Sequence, residues 1–136
     1  MATELRGADE FNSFLKLWSE KLLPNQFKSF QKKIALDILR GVVLKTPVDT
    51  GRARANWQLT IGKGSEKVLK NKDKPGEHTI NKGLNRLASL GFGQAIFITN
   101  NVSYIVYLEE GKPGPGSEQA PNGMLALTLE EVRSGT

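Results

Sequence analysis

Apolar residues recur at helical spacing along the first third of the chain. Phe11, Phe14, Leu15, Trp18 and Leu22 fall at i, i+3, i+4, i+7 and i+11, one stripe of an amphipathic helix. Pro24 breaks it. A second helix follows, with Phe27, Phe30, Ile34, Ile38 and Val42 on one face and Lys28, Lys32, Lys33 and Arg40 elsewhere. Ala35, Leu39 and Val43 widen its apolar face and make it the expected central packing element. Thr46 and Pro47 end it, because the residue before a proline is pushed out of the α region.

Downstream the period changes to two. Trp57, Leu59 and Ile61 alternate with Gln58 and Thr60, which predicts a strand with one buried face. Residues 63–77 carry almost no apolar side chains and are expected to form a long mobile loop, disordered until assembly. Ile80, Leu84 and Leu87 predict a short third helix ending near Gly91. Gln94 to Thr99 predicts a second strand, and Asn100-Asn101 a turn. "YIVYLEEG" fits either a strand or a short helix, since Tyr104, Tyr107 and Leu108 have helical spacing. "GKPGPGSEQAP" is a loop stiffened by Pro113, Pro115 and Pro121. "NGMLALTLEEV" can be read at either period, and a helix capped by Asn122 is preferred. There is no internal repeat. The expected fold is α+β, with long N-terminal amphipathic helices packed on a small antiparallel sheet, a long basic loop and a C-terminal helix. At 136 residues all of this makes one domain, 1–136.

Composition narrows the chemistry. With 38% hydrophobic and 24% charged residues the chain is globular in character. No apolar run approaches the ~20 residues needed to cross a bilayer. "MATELRGADE" has neither the basic start nor the apolar stretch of a secretory signal, so none is expected. The absence of cysteine removes disulfides, thiolate nucleophiles and Cys-type zinc sites, and fits a cytosolic life. His78, the single histidine, rules out paired-His metal sites and falls in a polar loop. The net charge of +5 is moderate, but its distribution is uneven. Lys63, Lys67, Lys70, Lys72 and Lys74 crowd into one polar stretch with few acids, a candidate contact for DNA or an acidic partner. A solvated loop without a partner is the plainer reading of such a run.

"VDTGRA", residues 48–53, contains the Asp-Thr-Gly of aspartic proteases. A protease dyad needs two carboxylates close enough to share a proton. One copy per chain would require a symmetric dimer, with a small residue after the glycine where the two loops meet. Here Arg52 follows the glycine and Arg54 lies close behind, and their charge opposes a shared proton. The flanking segments are also largely helical. The tripeptide is better read as structure: Asp49 or Thr50 as an N-cap, Asp49 preferred, with Gly51 relieving a tight approach before "GRARAN" makes about one helical turn.

The order of these pieces has a likeness. A long helix ending in "VVLKTPVDTGRARANWQLTIG", then "FITNNVSYIVYLEEG", then "QAPNGMLALTLEEV", resembles the neck and tail-completion proteins of long-tailed bacteriophages, most closely the minor tail protein Z group. The likeness runs from about Leu39 to Val132. It is specific in combination, although each piece alone would be weak. Ser103 stands where the family often has proline, and "KPGPGSE" departs from its loop, which leaves that loop's geometry open.

The resemblance implies a non-enzymatic virion protein at the head–tail junction, made in the host cytoplasm. It implies a ring around the channel, hexameric by preference, touching neighbouring neck and tail proteins and near the channel DNA. It implies no cofactor, metal, membrane or small-molecule substrate. Carried over position by position, the matched residues of the first motif are Thr46, Pro47, Asp49, Thr50, Gly51, Arg52 and Trp57. Those of the second are Asn100, Asn101, Tyr104, Leu108, Glu109 and Gly111, and those of the third are Ala120, Pro121, Gly123 and Met124. All are expected to serve fold or interface. The alternative is a small nucleic-acid-binding module using the lysine-rich loop, against which stands the lack of interleaved aromatics for stacking bases. A hydrolase is disfavoured, since no base, nucleophile or metal cluster is assembled in the sequence.

Overall fold

Pro24, the residue that ends the first helical stripe, also begins the second. In a computed structural model, which describes residues 8–110 and 123–135, α1 spans Ala8–Lys21 and α2 spans Pro24–Lys45. Proline suits the first helical position because its missing N–H would have no intrahelical partner there. The Leu23 N–H before it is accepted by Gln26 Oε1 at 3.2 Å. α2 is the central element, burying Ile34, Ala35, Leu39, Val42 and Val43 along one face. It ends at Thr46, whose backbone is extended ahead of Pro47.

The single turn α3 (Arg52–Ala55) leads into β1 (Gln58–Ile61), and α4 (Glu77–Leu87) precedes β2 (Ile96–Thr99). β1 and β2 pair antiparallel, with Leu59 opposite Ile98 and Thr60 opposite Phe97. Helices on one small antiparallel sheet make the fold α+β. "YIVYLEEG" resolves as helix: α5 is Ile105–Glu110. The C-terminal helix α6 is Leu125–Ser134.

The main core joins α2 to the sheet and to α4. Leu39, Val42 and Val43 meet Trp57, Leu59, Ile80, Leu87 and Met124 there. A second cluster of Phe11, Ile34 and Leu129 fastens α1 and α6 to the early part of α2. Trp18 lies between Phe14 and Phe30, at ring separations of 6.3 and 5.2 Å, and links the first two helices.

Two expectations are corrected here. The buried stripe of α4 is Ile80, Gly83 and Leu87, while Leu84 is exposed. Gly83 hides a packing position because a Cβ there would stand 2.1 Å from Leu39 Cδ2, so a side chain would force the buried Leu39 to shift. Glu77 and His78, expected in a loop, open α4, and the segment 63–76 before them also has a defined path. Polar side chains from outside it hold its backbone, an arrangement its own composition does not display. The Asn122 cap lies outside the described residues, as do Gly111, Pro113, Pro115, Ala120 and Pro121.

Candidate functional site

Thr46 begins the first motif, fully buried at the end of α2. Its hydroxyl donates to the Val42 carbonyl at 2.5 Å and accepts the Trp57 indole N–H at 2.7 Å. That pair fixes the motif to the core, with Trp57 buried as the alternation predicts. Arg54 then closes the α2 terminus. Its Nε and Nη2 donate to the carbonyls of Thr46 and Leu44, both at 2.9 Å, and its Nη1 to that of Lys74 at 2.6 Å. A cation satisfying late helix carbonyls also suits the negative end of the helix dipole.

Asp49 does not cap. The N-cap of α3 is Gly51, in the left-handed region at φ 88°, with no side-chain bond from the cap residue. The hydroxyl serving that turn is Thr50 Oγ1, which accepts the Arg52 N–H at 3.3 Å. Asp49 itself is exposed. The cap reading failed because α3 starts later than it requires: the cap position is Gly51, whose positive φ glycine adopts freely, and Asp49 lies two residues upstream. Gly51 is also tightly packed: a Cβ would stand 2.6 Å from the Lys74 amide nitrogen.

The lysine-bearing segment is laced to this framework. Asn56, fully buried, donates to the Leu69 carbonyl at 3.0 Å and accepts the Leu69 N–H at 2.6 Å, acting as a short piece of strand would. Asn101 donates to the carbonyls of Ser65 and Lys67, and Asn100 to that of Ala53. The pair expected to turn the chain and to serve fold or interface therefore ties three segments together. At the far end Asp73 is buried and accepts the Gly76 N–H, the Thr79 N–H and the Thr79 hydroxyl. Burial raises the Asp73 pKa. The bonds from Thr79 and Gly76, with the nearby charge of His78, outweigh it and hold the carboxyl below its ordinary value.

Two clefts flank this framework. Pro47, Asp49, Thr50, Gly51 and Arg52 line one of about 230 Å³, joined there by Tyr104 and Leu108 of the second motif. The fold thus brings together residues roughly fifty positions apart that the resemblance marks. Tyr104, just before α5, and Val106 and Tyr107 within it are exposed. The second cleft, about 390 Å³, lies between the lysine segment, β1 and α4. Lys63 and Lys67 line it, together with Lys82 and Arg86 from α4. Lys70, Lys72 and Lys74 are exposed but do not line it. Reading the charged run by itself missed Lys82 and Arg86; their i, i+4 spacing on a helix was the available signal.

Glu109 has a role that the resemblance left unspecified. Its Oε1 accepts the N–H groups of Met124 and Leu125 at 2.8 and 2.7 Å, and its Oε2 that of Ala126 at 3.0 Å. A carboxylate on α5 thereby caps α6 from across the fold, where the helix leaves backbone donors without partners. Met124 is fully buried beneath it.

Among the described residues no helix is long and apolar enough to cross a membrane, and no group of three or more His, Asp or Glu could hold a metal ion. No protein-family model, curated protein or solved structure matches this chain.

Proposed function

We propose that the chain is a structural protein of the head–tail junction of a long-tailed bacteriophage. It assembles in the host cytoplasm as a ring, six copies being favoured, and helps join a finished tail to a DNA-filled head. Its partners are further copies of itself and the neighbouring neck and tail proteins. It catalyses no reaction and uses no cofactor. The motif resemblance is the ground for this reading, and one observation supports an interface: Pro47 to Arg52 and Tyr104 with Leu108 line one surface cleft. Much of the first motif is spent on internal bonds, as Thr46, Trp57 and Arg54 show. Tyr104, Val106 and Tyr107 are exposed as well, large apolar side chains of the kind that a neighbouring subunit covers.

Mass photometry of the purified protein, alone and with phage tails, tests this reading. A ring, or retention on tails, is expected, and Tyr104→Ala with Tyr107→Ala should release monomers of unchanged fold. A protein that stays monomeric and does not associate with tails contradicts it. The alternative, a small nucleic-acid-binding module, would be supported by a monomer with steeply salt-dependent DNA affinity.

A further inference from the structure

We propose that the cleft between the 63–69 segment and α4 is a binding site for phosphate groups, such as those of a nucleic-acid backbone or a free polyphosphate. The inference does not rest on the head–tail reading. Lys63, Lys67, Lys82 and Arg86 line the cleft, and no Asp or Glu does. Glu66, although adjacent to Lys67 in sequence, is not part of the lining. Three cations elsewhere find acids, Lys33 with Asp37, Lys45 with Glu131 and Arg133 with Glu130, although most other described cations, including Lys70, Lys72 and Lys74, do not. Among the described residues, none of the four cleft cations takes part in an ion pair. Like charges gathered on one concavity repel each other and focus a positive potential that an anion relieves.

The cleft is also preorganised. The carbonyl of Lys63 accepts the Thr60 hydroxyl at 2.7 Å. That of Lys67 accepts Gln58 Nε2 at 2.8 Å and Asn101 Nδ2 at 3.0 Å. The backbone at both loop lysines is therefore held beside β1 by side-chain donors, and the cleft is completed by two cations one turn apart on α4. Thr60, Gln58 and Asn101 thus hold the loop backbone in place, which lowers the backbone part of the ordering cost that a ligand would otherwise meet. A volume of about 390 Å³ is in the range of small-ligand sites. Several cations and no carboxylate suit a multiply charged phosphate ligand, for which lysine serves as a point charge.

The test uses the isolated full chain. Binding of a labelled 20-base-pair DNA is followed by fluorescence anisotropy over a salt series, and binding of tripolyphosphate by calorimetry. The cleft variant is Lys82→Gln with Arg86→Gln, both at exposed helix positions. The control is Lys70→Gln, Lys72→Gln and Lys74→Gln, which removes more charge from outside the cleft. Lys63→Glu is a second cleft variant, and thermal melting checks that each variant folds.

The cleft variants should weaken binding about tenfold or more, as expected for lost charge-assisted contacts. The double variant should flatten the DNA salt slope by about 2. The control should change affinity much less. Binding of both ligands assigns the cleft to a phosphate backbone, and binding of tripolyphosphate alone assigns it to a free phosphate ligand. Equal or greater loss in the control, preference for polyglutamate over both phosphate ligands, or no binding of either one overturns the proposal.

Discussion

The indole N–H of Trp57 ends on the hydroxyl of Thr46, 2.7 Å away and 11 residues earlier in the chain. Both residues are buried, so the bond ties the start of β1 to the end of α2 where water does not compete. Thr46→Val keeps the shape and strands the indole N–H, and should cost about 1–3 kcal/mol. Trp57→Ala also opens a core cavity, at about 3–5 kcal/mol, and should yield aggregate or unfolded protein. Urea unfolding would measure the first and soluble yield the second. Near-normal stability of Trp57→Ala would show that this junction is not part of the core.

The Asp-Thr-Gly tripeptide is predicted to depend on its glycine. Gly51→Ala forces a side chain into a left-handed backbone against the amides of Asp73 and Lys74, and should cost about 2–4 kcal/mol. Asp49→Ala, at an exposed position without a capping bond, should stay within about 0.5 kcal/mol of the parent. Thermal melts of the two variants side by side would separate these costs, and the reverse order would restore the capping role to Asp49.

Glu109→Ala removes the acceptor for three α6 N–H groups and should destabilise the fold by about 1–3 kcal/mol. Glu109→Gln keeps an acceptor without the charge and should fall between the two. Faster amide exchange at Met124, Leu125 and Ala126 in the alanine variant would place the loss at this cap. Unchanged exchange there would show that the helix end does not need it.

Asp73 gives a pH signature. A carboxyl whose pKa is lowered by folding adds stability above its unfolded pKa and loses it as pH falls through the folded value. The gap in stability between the parent and Asp73→Asn should therefore be full at pH 5–7 and shrink below about pH 4. Denaturant midpoints measured from pH 7 to pH 3 would show it. A gap that stays constant or widens in acid would mean that the Asp73 charge does not stabilise the 73–79 turn.

The helical periods and the alternation around Trp57 were enough to place α1, α2 and β1, because burial on one face writes a repeat into adjacent residues. The class of the fold was legible for the same reason. Leu84 misled because helical spacing also admitted it, while the true contact is Gly83, which has no side chain to count. The lysine segment misled in another way. Its anchors, Asn56, Gln58 and Asn101, lie outside it, and nothing in local composition tells which backbone a distant amide will bind. Glu109 could be matched to a motif, yet its service to α6 is a tertiary relation that spacing does not encode. Of the basic site, the loop half was visible as a charged run, whereas Lys82 and Arg86 join it only once α4 is packed.

On the proposed head–tail reading, the most direct test is electron microscopy of a lysate from a long-tailed phage inferred to carry this gene, with the gene interrupted by a stop codon. The account predicts DNA-filled heads and finished tails lying apart, with joining restored when the purified protein is added. Intact, tailed virions formed without the protein would contradict it.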